Sequence, residues 1–336
     1  MGDRLHTILY RFRNTLPIDL KEKLGAERDI KNIMRDKFLS PTNLLFPGTA
    51  LMILLFSCQT ATKKEHPSIF RKDNLVAWCI VPYDSLKRNP EERAQMLDRL
   101  GISRFAYDWR TEHLPSMAAE IETMNRHGIE LESVWFWLDG GRDLLDENNE
   151  LILRTLREQN VQTDLWVSFN NRFFEDLSDE ERLAKAVAAL TQVHARARDI
   201  GCRIALYNHG EWFGIPLNQI RIIEALGFDD IGIVYNLHHS HDQMDEFPLF
   251  LEKMKPYLQT VNLNGMEEGG PKILPIGSGD REFDMIRRLK ESGFAGTVGI
   301  LGHVEDADVE TILRGNLDGL KALLASLGDD EALQTY

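Results

Sequence analysis

Cysteine is scarce: three in 336 residues are too few for a disulfide framework. Cys79 and Cys202 fall in or beside strand-like runs, where a buried thiol is the ordinary role, so neither a disulfide nor a zinc site is expected. Positive charge is also in short supply, since 39 Lys and Arg against 53 Asp and Glu leave a formal charge of −14. A phosphate backbone would be repelled, which argues against nucleic acid as a partner. No G-x-G-x-x-G follows the first strand-like run, so the usual sign of a dinucleotide-binding open sheet is missing. No apolar run reaches the roughly 20 residues of a membrane helix. What the chain does have is 43% hydrophobic content, enough for a sizeable core, with no compositional break after residue 74 to mark a second domain.

The amino-terminal segment reads differently from the rest. Residues 34–58, MRDKFLSPTNLLFPGTALMILLFSC, give a short basic start at Arg35 and Lys37, an apolar run ending at Phe56, and a final Cys58. This is a secretory signal pattern whose end is similar to a bacterial lipobox, with Cys58 as the lipidated residue. Residues 1–33 then read as upstream sequence or a disordered extension, and residues 59–73 as a polar tether. The expectation is an exported protein on the periplasmic side, touching the membrane only through a lipid anchor.

From residue 74 to 327 strand-like runs recur, beginning near Leu75, Arg104, Leu131, Asp164, Arg203, Ile231, Gln259 and Thr297, each followed by a helical pattern. Helix starts are marked by Asn89-Pro90 and by Ser178 with Glu181; glycines at 101, 128, 201, 227 and 293 close helices just before the next strand. Eight such units match the roughly 250 residues of a (β/α)8 TIM barrel, a single domain with residues 328–336 as a tail. The runner-up is a doubly wound open sheet.

Alternation predicts which side chains meet. With Ile204, Leu206, Ile231, Ile233 and Tyr235 facing the helices, Ala205, Tyr207 and His209 point inward from the fifth strand, and Gly232, Val234 and Asn236 from the sixth. The same parity adds Asp108, Asn170, Asn262, Asn264 and His303. Polar side chains from many strand ends would thus converge on one mouth, where barrel enzymes place their chemistry. His113, His127 and His194 lie in helical stretches and are expected in solvent; His209, His238, His239, His241 and His303 all follow strands.

The motifs ALYNHG, GIVYNLHH, VNLNG and ILPIGSGDREFDMI, spread over residues 75–327, resemble the xylose isomerase-like barrel superfamily of sugar isomerases, sugar epimerases and metal-dependent apurinic endonucleases. The resemblance implies a divalent metal held by carboxylates and a histidine at positions that here align with Tyr207, Asn236, Asn262 and Leu301. Neutral amides are weak metal ligands, so the usual site is in doubt. No cofactor is certain. A reduced set of His209, His239 and His303 would suit a transition metal, and a metal-free site is the alternative.

The leading expectation is a sugar isomerase or epimerase that abstracts a proton beside the carbonyl of a sugar or keto-sugar. His209 and His239 are the first acid/base candidates, with Asp108 and Glu211 second. Asn236, Asn262, Asn170, Trp212, Lys272 and His303 are expected to bind substrate. The alternatives are a keto-sugar lyase or hydratase and a non-catalytic sugar-binding lipoprotein. Oligomeric state is not legible.

Overall fold

The computed structural model describes residues 67–336. The signal pattern, its Cys58 and residues 1–33 lie outside the described residues.

Eight parallel strands close into a barrel in chain order: β1 (Leu75–Trp78), β2 (Arg104–Tyr107), β3 (Glu130–Leu138), β4 (Asp164–Phe169), β5 (Arg203–Tyr207), β6 (Ile231–Asn236), β7 (Leu258–Leu263) and β8 (Thr297–Leu301). The helices between and after them are α1 (Pro90–Leu100), α2 (Met117–Arg126), α3 (Glu147–Glu158), α4 (Asp179–Arg198), α5 (Pro216–Leu226), α6 (Phe247–Met254), α7 (Glu282–Glu291), α8 (Val309–Leu327) and the short α9 (Asp330–Leu333). The signals that mark their ends are local. The Asn89 side chain accepts from Glu92 N while Glu92 answers Asn89 N, and Gly101 and Gly227 close α1 and α5 with φ of 67° and 69°. Both devices satisfy backbone groups that a helix end leaves open.

The alternation along each strand sorts the core into two regions. The outer one, between sheet and helices, takes Leu75, Phe105, Phe136, Ile204, Ile233 and Ile300. Inside the barrel lies a smaller cluster of Val76, Trp78, Ala106, Trp166, Ala205, Tyr207, Val234 and Leu301. The predicted parity therefore holds on β5, β6 and β8. Asn262 is paired in register with Asn236 on one side and Gly299 on the other. A Cβ at Gly299 would lie 1.7 Å from Asn262 Oδ1, so the buried amide occupies the room that this glycine leaves open.

Both ends of the described chain belong to the barrel, which corrects two expected boundaries. Phe70, assigned to the tether, is fully buried. Ser68 Oγ donates to Asp329 Oδ2 at 2.8 Å, and Tyr336 OH donates to Phe70 O at 2.9 Å. The residues read as a tail carry α9, whose Ala332 is buried, so the two ends clasp each other across the barrel wall.

Candidate active site at the carboxyl-terminal mouth

A cavity of about 140 Å³ opens at the carboxyl ends of the strands. β1 and its following loop contribute Trp78, Cys79 and Tyr83, and β2 contributes Asp108 and Arg110. β3 supplies Trp135, β5 Tyr207 with His209 just beyond it, and the turn after β6 His238 and His239. Lys272 reaches in from the loop after β7 and His303 from beyond β8. A surface depression of about 740 Å³ beside α3 is larger but gathers no histidine.

Asp108 is the one carboxyl in this cavity. It is 2% exposed, its Oδ1 accepts from Val81 N at 3.4 Å, and its Oδ2 has no partner among the described residues. Burial penalises its charged form and pushes it up to about 7, against which the Val81 N–H and Arg110 act only partly. A carboxyl poised there holds or releases a proton near neutral pH.

The histidines are pushed the other way. Burial, with Lys272 close by, brings His209 down to about 4. His238 and His239 are lowered by burial and by the neighbouring imidazoles, and His303 by burial first. The rings of His209 and His239 are 4.7 Å apart, those of His238 and His239 3.8 Å, and His303 stacks on Tyr83 at 3.7 Å. At neutral pH these are neutral donors and acceptors rather than imidazolium acids. His209 Nδ1 is buried with no partner among the described residues.

A hydrogen-bond chain fixes two of the rings. Asn236 Oδ1 accepts from His238 N at 3.3 Å, which orients the amide, so its Nδ2 donates to Tyr207 OH at 2.6 Å. Tyr207 then has its single hydrogen left for His239 Nε2, 3.2 Å away. His239 consequently keeps its proton on Nδ1. His238 Nδ1 meets the same Asn236 oxygen at 2.6 Å and must carry a hydrogen. Asn236 thus sets the tautomers of two histidines from beneath.

Lys272 is held by its backbone. Its carbonyl accepts from Asn264 Nδ2 at 3.1 Å and lies 3.0 Å from His241 Nε2. The loop itself turns on Glu282, whose buried carboxylate accepts from Met266, Gly277 and Gly279 N–H groups at 2.8 to 3.0 Å. A Cβ at Gly279 would come within 2.3 Å of that carboxylate, which is the reason for the glycine-rich run.

Of the residues expected from sequence, His209, His239, Asp108, Lys272 and His303 meet in the cavity. Five do not. Asn170, Glu211 and Trp212 line a separate hollow of about 210 Å³, which shares only His209 with the first. Asn170 there caps a turn and bonds Asp139 at 2.8 Å, and Trp212 Nε1 donates to Asp179. Asn236 and Asn262 are fully buried below the cavity and do not line it, because Tyr207 and His238 cover the first and the barrel interior encloses the second. His194, expected in solvent, is buried and bonded to Asp230 at 2.7 Å.

Tyr83 and Arg110 are absent from the sequence expectations, and His238 enters them only as one of the histidines that follow strands, with no role of its own. Two of them carried a usable signal: Arg110 and His238 share the parity of Asp108 and Asn236, two residues earlier. Tyr83 sits on a loop that folds back over the mouth, which no periodicity reports.

The residues present do not fit the expected metal. Among the described residues no group of three His, Cys, Asp or Glu side chains is placed to hold an ion. His239 Nε2 and His238 Nδ1 are already committed to Tyr207 and Asn236, and Leu301 has no donor atom. The reduced set of His209, His239 and His303 is corrected accordingly.

No family model and no curated protein matches the sequence. Solved structures do. The chain is similar to an L-ribulose 3-epimerase at a TM-score of 0.59 and 14% identity, covering 79% of this chain and 98% of that one. Against the 3-keto-D-glucoside 4-epimerase YcjR from E. coli the values are 0.56 and 15%, over 76% and 100%. Against the IOLI protein with a binding zinc atom they are 0.57 and 16%, over 75% and 98%. With β1 to β8 closed in chain order, these likenesses establish the architecture, a (β/α)8 TIM barrel.

Proposed function

We propose that this barrel is an isomerase or epimerase of a sugar or keto-sugar that abstracts a proton beside a carbonyl. The observation that carries the reading is one small cavity in which Asp108 Oδ2 and His209 Nδ1 are both buried and unpartnered among the described residues. A ligand would supply what each lacks.

The roles follow from the pKa directions. Asp108, near 7, is better matched to proton transfer at neutral pH than His209, near 4, so the acid/base assignment moves from the histidine pair to the carboxyl. Ionised Asp108 takes the proton from the carbon beside the carbonyl, and the electron pair left behind moves onto the carbonyl oxygen. In an isomerase the protonated carboxyl then returns the proton to the former carbonyl carbon while a neutral imidazole passes a proton from the adjacent hydroxyl to the former carbonyl oxygen, whereas an epimerase reprotonates the same carbon from a second donor on its opposite face. Neutral imidazoles at His209 and His239 hydrogen-bond the carbonyl oxygen as its charge grows, a use of neutral histidine known from other proton-abstracting enzymes.

Solvent deuterium exchange into a panel of keto-sugars tests this. Exchange lost in Asp108→Asn supports it; no exchange for any ligand that binds overturns it. The second reading, a non-catalytic sugar-binding barrel, is favoured by the amide and leucine at the aligned ligand positions Asn236, Asn262 and Leu301. It predicts binding without exchange. A lyase or hydratase shares the first step and differs in that the electron pair left on carbon then expels the β-hydroxyl, which leaves as water once protonated.

The signal pattern ending at Cys58 supports an exported, lipid-anchored protein. Mass spectrometry of the mature protein should find an acylated Cys58 at the amino terminus; an unprocessed terminus ahead of it would refute the anchor.

A further inference from the structure

Charge is distributed unevenly between this chain and its cavity. The protein as a whole carries −14, yet the mouth gathers two cations, Arg110 and Lys272, against one carboxyl that burial keeps partly protonated near neutral pH. An acidic protein with a cationic pocket focuses anions there.

Arg110 is built in rather than loosely present. Its backbone N–H donates to His113 Nδ1 at 2.9 Å, its Nη1 donates to Trp109 O at 2.8 Å, and its Nη2 donates to Tyr83 OH at 2.7 Å. The guanidinium also lies over the rings of Tyr83 and Trp135, 5.2 and 5.9 Å from their centroids. Both hydrogen-bond acceptors are neutral, so the charge is oriented without being neutralised. Of the five N–H donors of an arginine, three remain for a ligand. His303, packed on the same Tyr83, lines the cavity with the two cations; burial lowers it first, and Lys272 and Arg110 lower it further against the pull of Glu305, 3.7 Å from its Nε2. Lys272 contributes an ammonium with no partner among the described residues, from a loop fixed by Asn264 and His241. Planar bidentate recognition of a carboxylate or phosphate is what such an arginine suits.

From this we infer that the substrate carries an anionic group, a carboxylate or a phosphate, seated between Arg110, His303 and Lys272. The substrate class is then a sugar acid or sugar phosphate with a carbonyl beside the reacting carbon, rather than a neutral sugar. Size agrees with this. A cavity of about 140 Å³ is close to the roughly 150 Å³ that holds a benzene-sized molecule, so it takes the anionic end and the reacting carbons and leaves the remainder of the polyol at the mouth. This inference rests on the proton-abstraction reading for the chemistry but not for the binding.

The test is titration calorimetry of the full chain with 2-keto-D-gluconate, D-fructose 6-phosphate and D-fructose, the first and last differing only in a carboxylate for a hydroxymethyl group. At least one anion is expected to bind tenfold or more tightly than D-fructose, and which one identifies the group. Arg110→Gln should remove at least tenfold of that preference and Lys272→Gln a few-fold, since Lys272 lies at the exposed rim; D-fructose binding should stay within twofold, which also reports that the variants are folded. Arg110→Lys should recover part of the loss. The inference is overturned if D-fructose binds as well as the anions, if the preference survives in both Gln variants, or if none of the three binds. Deuterium exchange separates the two proposals: anion binding through Arg110 without exchange leaves the anion site and removes the chemistry, whereas exchange into neutral keto-sugars alone does the reverse.

Discussion

The two ends of the barrel treat charged groups in opposite ways. At the amino-terminal end Arg104 meets Glu132 at 2.8 Å, Arg203 takes both oxygens of Asp164 at 2.8 and 3.2 Å, and Thr297 bridges Thr260 and Glu132. Charges there are matched within the protein. At the carboxyl-terminal mouth Asp108 Oδ2 and His209 Nδ1 are left without partners among the described residues, and Arg110 is oriented by neutral acceptors only. Polar groups that satisfy each other stabilise a fold. Those buried and left open cost roughly 1–3 kcal/mol each. Among the described residues neutral atoms are left open elsewhere too, at Ser133 Oγ, Gln259 Oε1 and both amide atoms of Asn262, so what separates the two ends is their titratable and charged groups, paired with each other at one and open at the other.

Substitution at Asp108 should break this comparison most severely. Asp108→Asn is expected to lower turnover by about 10²- to 10⁴-fold, and to remove an inflection near pH 7 above which the wild-type rate is highest. Stability should move the other way. Below about pH 4 the carboxyl is protonated in folded and unfolded chains alike; from there to about 7 only the folded chain holds the proton, so its contribution to stability falls as pH rises through that window. Urea unfolding at pH 8 should then show Asp108→Asn more stable by on the order of 2 kcal/mol. A variant less stable than wild type at that pH would show that the carboxyl is structural.

Tyr207→Phe sharpens the comparison from just below the mouth. It strips the acceptor from Asn236 Nδ2 and the donor from His239 Nε2. The expected cost is about 1–3 kcal/mol in stability, with roughly tenfold lower turnover and little change in KM. ¹⁵N shifts of the His239 ring should lose the single Nδ1–H tautomer; an unchanged tautomer would refute the proposed wiring.

At the opposite end the effect should be smallest. Arg203 is 60% exposed, and pairs of that kind contribute at most about 1 kcal/mol. Asp164→Asn should cost no more than that and leave turnover and KM within about twofold. A tenfold loss of turnover would mean that the amino-terminal end is not the inert half.

Much of this was legible in the sequence and some was not. Strand starts at Leu75, Arg104, Asp164, Arg203, Ile231 and Thr297 fall where the patterns put them, because hydrophobic alternation and helix caps such as Asn89 with Glu92 act over a few residues. Parity brought Asp108, His209 and His303 to one mouth for the same reason. Equally good parity predicts Asn236 and Asn262 as ligand contacts, yet both are buried and neither lines the cavity, since alternation says which side a group faces and not what already covers it.

The sequence by itself determined the barrel, its order of elements and the side of each strand that faces inward; these follow from spacing between neighbours along the chain. Only the tertiary structure decided which polar atoms were spent. The Asn236 amide is consumed by Tyr207 and His238, the Phe70 carbonyl by Tyr336, and Asp108 is buried in a cavity lined by strand ends and loops from around the barrel. Hydrogen bonding and desolvation depend on distance in space, and the residues that set them lie as many as 266 positions apart.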